Sequence, residues 1–206
     1  MIKDLDGRNH IRELQPESAT QKWTAWDLGV SDSTSIWVCE TLGGEIRLMD
    51  YYENHGMPLD HYIGWLDEKG YRDYTHILPH DVNVRELQTG KSRYEFLTEA
   101  GLNIDVAAKL SVEDGIMAVR KMLPNAWFNK ETTKFGLECL RNYRRVFNEK
   151  LNVYQEKPLH DWSSHCADAF RYLAVGIDTT GSNTRSNWNK PYESTYDGES
   201  YKNQYL

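Results

Sequence analysis

Cysteine is sparse: Cys39, Cys139 and Cys166 are the three in 206 residues, and no CxxC pair occurs. An odd, scattered set excludes a disulfide framework and a zinc ribbon, and fits a reducing compartment. Long apolar runs are also missing, so no segment reaches membrane-spanning length without a charge. The opening MIKDLDGRNHIREL is charged rather than apolar and unlike a secretion signal. Positive charge is in deficit, with 24 Lys and Arg against 31 Asp and Glu and a net charge of -7. That balance speaks against a surface that grips polyanions all over. It does not exclude a local acidic cluster whose bound divalent ions reverse the field where a phosphate would sit. No G-x-S-x-G occurs and no cysteine has a basic neighbourhood, so neither a serine nor a thiol hydrolase is indicated.

What is present can fold. The chain is 39% hydrophobic and 12% aromatic, with seven Trp and thirteen Tyr, enough to fill one mid-sized core. Residues 1–21 are polar and read as a linker or N-terminal arm. Residues 178–206 shift to Gly, Ser, Asn, Thr, Lys and Tyr and read as a flexible polar tail. The folded domain is expected over 22–177. Within it, KWTAWD (22–27), SIWVCET (35–41) and EIRLMDYYE (45–53) are strand-like runs with short turns, which favour an antiparallel meander. Helical spacing follows over 58–69 with Gly70 as a stop, then a strand at 75–81. Helices at 91–100, 111–123, 134–147 and 163–177 alternate with strands at 102–108 and at NAWFN (125–129). Three antiparallel strands followed by this alternation predict an α/β fold with a mixed sheet flanked by helices.

Three carboxylates stand out by context. Asp27 ends the first strand, Asp81 closes the apolar run ILP in the fourth, and Asp168 lies in CADAFRYLAVGI among small and apolar residues. A charge in such surroundings needs a partner. In a mixed sheet the first and fourth strands can lie side by side while the last helix crosses their ends, so the three would converge. Hard divalent cations take oxygen ligands, and a pair about 3.5–4 Å apart can activate water and stabilise a leaving phosphodiester oxygen.

Asp27-Leu28-Gly29 with Asp32 in the next turn, His80-Asp81 after a hydrophobic strand, and Ser164-His165-Cys166-Ala167-Asp168-Ala169-Phe170-Arg171-Tyr172 together resemble the nuclease domain of tailed-bacteriophage large terminase subunits. The similarity runs over roughly 23–177. The third motif is fairly specific, and the order and spacing of all three strengthen it. The resemblance implies a ribonuclease H-like fold and an endonuclease that cuts concatemeric viral DNA during genome packaging. Asp27, Asp81 and Asp168 would be its metal-holding catalytic residues, two Mg2+ or Mn2+ ions its cofactors, and Asp32 an accessory ligand. It further implies double-stranded DNA, a phage portal protein, a small terminase subunit and an ATPase motor domain as partners, in the cytoplasm of the bacterial host. The chain departs from a complete large terminase in lacking a P-loop. The nearest string, RELQTGKS (85–92), has Arg85 where the first Gly must stand. The nuclease part alone is expected, as a fragment or a separately encoded piece.

His165, three residues before Asp168, shares a helical face with it and is a second accessory candidate. The segment HDWSSHCAD also offers His160, Asp161, His165 and Cys166, a spacing that matches no standard zinc finger. Lys91 and Arg93 after Asp81, and Arg141, Arg144 and Arg145 in RNYRR, are candidates for gripping DNA phosphates. Two alternatives remain open at this stage: another ribonuclease H-like nuclease, such as a junction resolvase or transposase core, and a non-catalytic module docking on a portal or DNA.

Overall fold

In the computed structural model, which describes residues 9–17, 21–29, 32–85 and 90–177, a two-residue strand β1 (Ile11–Arg12) precedes three longer ones. These are β2 (Gln21–Asp27), β3 (Ser33–Leu42) and β4 (Glu45–His55), joined as the expected meander. Helix α1 (Leu59–Lys69) stops at Gly70, whose φ of 74° is a left-handed cap that glycine adopts without strain. Then come β5 (Thr75–Leu78), α2 (Arg93–Glu99), β6 (Asn103–Val106), α3 (Val112–Met122), β7 (Ala126–Asn129) and α4 (Lys134–Asn142). A hairpin, β8 (Arg145–Asn148) with β9 (Val153–Pro158), leads into the last helix, α5 (Ser164–Gly176). Ser92 and Glu95 close α2 with a reciprocal capping box, and Ser111 accepts from the Asp114 amide at the start of α3.

Seven strands form one sheet in the order β1-β7-β4-β3-β2-β5-β6. The meander is antiparallel, whereas β5 joins β2 in parallel, β6 joins β5, and β7 joins both β4 and β1 in parallel. The mixed sheet flanked by helices is therefore as the sequence pattern predicts, with β2 and β5 adjacent.

Alternation along the central strands splits the core in two. On one face Ala25, Trp37, Cys39, Leu48, Tyr51, Ile77 and Phe128 meet Leu137 of α4 and Phe170, Leu173 and Ala174 of α5. On the other, Trp26, Ile36 and Leu78 meet Tyr62, Ile63 and Leu66 of α1 and Leu97 of α2. Burying one such large side chain stabilises by roughly 1.5–3 kcal/mol. Close approach needs Gly136: a Cβ there would lie 2.5 Å from the Trp37 ring.

Four expectations change. The strand expected over 75–81 ends at Leu78, because Pro79 cannot donate to a ladder, and Asp81 sits in a tight 3-10 turn over His80–Asn83. The helix expected over 134–147 ends at Asn142, whose side-chain amide bonds back to the Glu138 carbonyl, and Arg145 begins a strand instead. The hairpin of β8 and β9 is new, since the sequence reading runs a helix through 145–147 and assigns nothing to 153–158. Within 1–21, read as an arm, β1 pairs with β7 and Leu14 is buried; two paired residues are too few to show a period. The stretch 178–206 lies outside the described residues. Among the described residues no helix is long and apolar enough to cross a membrane.

His76 of β5 is wholly buried; its Nε2 donates to the Arg72 carbonyl at 3.0 Å, so its Nδ1 accepts from the Thr24 hydroxyl at 2.7 Å. Burial lowers its pKa from 6.5 to about 4. The folded state keeps the ring neutral where the unfolded chain would protonate it, so this stability is full above pH 6.5 and is lost as pH falls toward 4. Between pH 7 and 5 the parent should lose about 2 kcal/mol more than His76→Asn. Urea unfolding at the two pH values measures it, and parallel curves would refute the buried neutral ring.

Candidate active site at the ends of the central strands

Asp27 is the last residue of β2 and pairs with Ser35 of β3, which pairs in turn with Glu53 of β4. The pleat puts directly opposed residues on one face, so carboxylate, hydroxyl and carboxylate form a row beneath the start of α5. Ser35 Oγ donates to Glu53 Oε2 at 3.1 Å, and the Tyr51 hydroxyl also donates to that oxygen. The parallel register of β2 and β5, with Ala25 opposite Ile77, brings the turn holding Asp81 to the same end of the sheet. Helix α5 is fastened across β2 and β3 by the Trp37 indole, which donates to the Cys166 carbonyl at 3.1 Å. Its first turns thereby deliver His165 and Asp168.

His165 joins two carboxylates: Nδ1 lies 3.0 Å from Asp27 Oδ2, and Nε2 lies 3.0 Å from Asp32 Oδ2. Asp32 reaches this point because the backbone turns back tightly at Gly29, where a Cβ would fall 2.5 Å from the Asp32 carbonyl oxygen. Gly29 N–H also donates to Thr34 Oγ1 at 3.1 Å. Asp168 Oδ1 accepts from Arg171 Nη2 at 2.7 Å.

The electrostatics show how crowded the negative charge is. Burial holds the Asp27 carboxyl above the usual carboxylate range, opposed by the His165 bond and reinforced by the charge of Asp168. The His165 pKa rises to about 8, chiefly through its bond to Asp27. Asp32 is lowered by the Ser33 amide. The Tyr172 phenol is pushed up to about 12 by burial and then by Asp27, Asp168 and Asp81, so all three expected ligands act on one side chain.

Asp27, Asp81 and Asp168 lie toward one end of the sheet, close enough to act together on Tyr172. Among the described residues, the set whose ligand atoms all lie within 4.8 Å of one another is Asp32, His160 and His165. The donor chemistry of Asp27, Asp81 and Asp168 nonetheless fits hard divalent ions: all are carboxylates, and the burial and mutual repulsion felt by Asp27 are what a cation would relieve.

Cys166 and Asp161 are not in the set of Asp32, His160 and His165. The Cys166 thiol is buried against the Gly136 carbonyl, with its pKa pushed up by that burial, and Asp161 accepts from the Ser163 amide and hydroxyl. The basic candidates fall in separate places. Lys91 pairs with Glu99 at 2.7 Å, while Arg93 donates to the Leu28 carbonyl at 3.1 Å, gripping the loop just after Asp27. Arg144 donates to the Asn142 carbonyl at 3.2 Å. Arg141 and Arg145, separated by the end of α4, line a cleft of about 430 Å³ together with Arg120, Tyr143, Arg171 and an apolar floor. Sequence reasoning missed Glu53, Tyr172, Arg171 and the meeting of His160 with Asp32. The Tyr51-x-Glu53 alternation is the signal for Glu53, and the i,i+3 spacing from Asp168 is the signal for Arg171; the meeting of His160 with Asp32 has no local one.

No protein-family model matches the sequence, and no curated protein is detectably similar to it. Solved structures do match. The large terminase from the thermophilic bacteriophage D6E superposes with a TM-score of 0.64 and 19% identity over 85% of this chain, which spans 45% of that protein's length. The nuclease domain of the P22 large terminase gives 0.62 and 18% over 81% of this chain and 87% of the other. The large terminase nuclease from thermophilic phage G20c with bound magnesium gives 0.57 and 14% over 84% and 96%. The chain thus has the ribonuclease H-like fold of large-terminase nuclease domains.

In metal-free protein, an NMR titration of the imidazole protons should place His165 near pH 8, as its bond to Asp27 demands. Asp27→Asn should bring it well down, because the neutral amide no longer favours the imidazolium. An unchanged value in that variant would contradict the Asp27–His165 contact.

Proposed function

We propose that this domain is a divalent-metal-dependent endodeoxyribonuclease that cuts concatemeric viral DNA during genome packaging. The observation that carries the reading is the buried Asp27 carboxylate at the end of β2, its charge opposed by Asp168 and steadied by His165, with Asp81 at the same sheet end. The fold shared with the nuclease domains of large terminases supports it.

In this proposal Asp27, Asp81 and Asp168 would hold two Mg2+ or Mn2+ ions. The chemistry such ions would supply there is a water of lowered pKa for attack and stabilisation of the leaving oxygen. The protein's own groups do the positioning. His165 fixes the Asp27 carboxylate from one side, and Arg171 holds Asp168 so that one oxygen stays oriented. Asp32 and His165 are accessory. Tyr172, kept neutral by its surroundings, can donate a hydrogen bond among the carboxylates.

DNA phosphates would be held along the cleft that contains Arg120, Arg141, Arg145 and Arg171, since Arg171 joins that cleft to Asp168. Arg93 serves differently, by holding the loop after Asp27, and Lys91 and Arg144 lie outside the cleft lining. A portal protein, a small terminase subunit and an ATPase motor domain are the partners this reading brings, and the bacterial host's cytoplasm its setting.

Asp27→Asn, Asp81→Asn and Asp168→Asn should each reduce manganese-supported nicking and linearisation of supercoiled plasmid by about a hundredfold or more, with folding unchanged by circular dichroism. Retained cutting in all three would reject the site; preference for branched over plain duplex would move the reading to a junction resolvase. Separately, Arg120→Ala with Arg141→Ala should weaken duplex binding without changing its sequence preference. The slope of log affinity against log salt should fall by about 1 to 2.

A further inference from the structure

Among the described residues the tryptophans fill the interior with one exception. Trp26 and Trp37 are wholly buried and Trp23, Trp65 and Trp127 partly so, whereas Trp162, in the turn before α5, is 47% exposed. Its ring stacks on Phe135, the second residue of α4 and itself 50% exposed, with centroids 6.1 Å apart and planes 29° from parallel. Leaving both rings half in water forgoes burial that the same side chains gain in a core, which marks the pair as a surface for contact.

The pair is held in place. Asp161 Oδ1 accepts from the Ser163 N–H at 2.9 Å and from its hydroxyl at 2.6 Å, and the Ser164 N–H donates to the Asp161 carbonyl at 2.9 Å, so the turn that carries Trp162 is closed on both sides. Phe135 rests on the Tyr51 ring with centroids 6.1 Å apart, and the Tyr51 hydroxyl donates to Glu53. Two ring contacts therefore separate Trp162 from the row of Asp27, Ser35 and Glu53. Three residues after Trp162, His165 is bonded to Asp27. The two rings form a lip of the carboxylate site.

Size and charge select the occupant. Two half-exposed aromatic side chains offer about 200 Å², far short of the roughly 800 Å² that a stable protein partner covers but ample for the π-face of one nucleobase. Lys134 precedes Phe135, and the first turn of α4 carries no acidic residue, so a phosphate next to that base meets positive charge. At 1.5 Å per residue, Phe135 lies about 9 Å along α4 from Arg141, which lines the arginine cleft; that is roughly three base steps at 3.4 Å. One strand can touch both. In a duplex the base faces are covered by their neighbours, so the ring pair can take only a base that has left the stack.

We propose that Phe135 and Trp162 form a stacking platform for an unpaired nucleobase of the DNA strand presented to the carboxylates, as at a frayed end or a gap. That the base belongs to the strand being cut rests on the nuclease reading; the stacking does not.

The experiment is fluorescence anisotropy of a short labelled oligothymidylate titrated with the full chain at low salt in EDTA, which removes divalent ions and prevents cutting. The parent should bind, and Trp162→Ala should weaken binding about tenfold, with Trp162→Phe retaining most of it. An oligonucleotide of the same length made of abasic residues should bind the parent as weakly as oligothymidylate binds Trp162→Ala. The slope of log affinity against log salt should be the same in parent and Trp162→Ala, because no phosphate contact is lost. Half-exposed Trp162 can be replaced without opening the core, and the abasic comparison needs no substitution at all. No binding by the parent, equal affinity in parent and Trp162→Ala, or abasic DNA bound as tightly as oligothymidylate would overturn the platform. Should binding depend on Trp162 while no metal supports plasmid cutting, the nuclease reading fails and the platform stands; should cutting proceed while Trp162→Ala binds like the parent, the platform alone fails.

Discussion

Everything at the working end of this molecule depends on α5 lying flat across β2 and β3. That contact is made by the Trp37 indole, wholly buried, packed 5.1 Å from Phe170 and 4.7 Å from Tyr51, and bonded to the Cys166 carbonyl. The carbonyl belongs to the residue between His165 and Ala167, so the helix is fixed in rotation and in translation. A slip of one residue would carry His165 about 100° around the helix axis, away from Asp27. Gly136 completes the arrangement by letting α4 reach the other side of the same ring. Packing on an apolar face therefore sets the geometry of a polar site on its edge.

That polar site is held under electrostatic tension. Asp27 is buried and feels Asp168, so its charge is disfavoured by both desolvation and repulsion. His165 and Arg171 offset part of this, the imidazole between Asp27 and Asp32 and the guanidinium on Asp168. The balance differs from that of an ordinary buried ion pair, in which one cation answers one anion. Here Asp32 and Asp81 add further negative charge at the same end of the sheet, and Glu53 in the next row adds to the field at His165. A fold that assembles more carboxylates than cations at one point sacrifices stability there, as functional sites commonly do.

Much of this was legible in the chain itself because its signals are local and periodic. The meander, the order of helices and strands, and the positions of Asp27 and Asp168 at a strand end and in early helical turns all follow from alternation, spacing and stop residues. Asp81 is expected at a strand end; Pro79 puts it in a turn at the same end of the sheet. The parts that escaped depend on tertiary pairing. β1 is two residues held by β7, and β8 exists because β9 lies beside it. Asp32 was read as an accessory to Asp27, and His160 as a member of a cluster with its sequence neighbours. Their true relation crosses some 130 residues and is created by the turn at Gly29 and by α5. No window along the sequence contains both ends of that contact.

The net charge of -7 takes on a different meaning in this light. Whole-chain charge governs the far field, which falls away within roughly 10 Å at moderate salt. Closer in, Arg120, Arg141, Arg145 and Arg171 gather around one cleft, and the last of them is bonded to Asp168. Arg171 belongs to both regions: it lines the cleft and holds the carboxylate. One nine-tenths-buried guanidinium thus couples the surface suited to phosphates with the cluster suited to cations. A net charge of this sign repels a polyanion at long range, whatever the cleft offers close by. In the proposed function, cations at the carboxylate end would offset that repulsion.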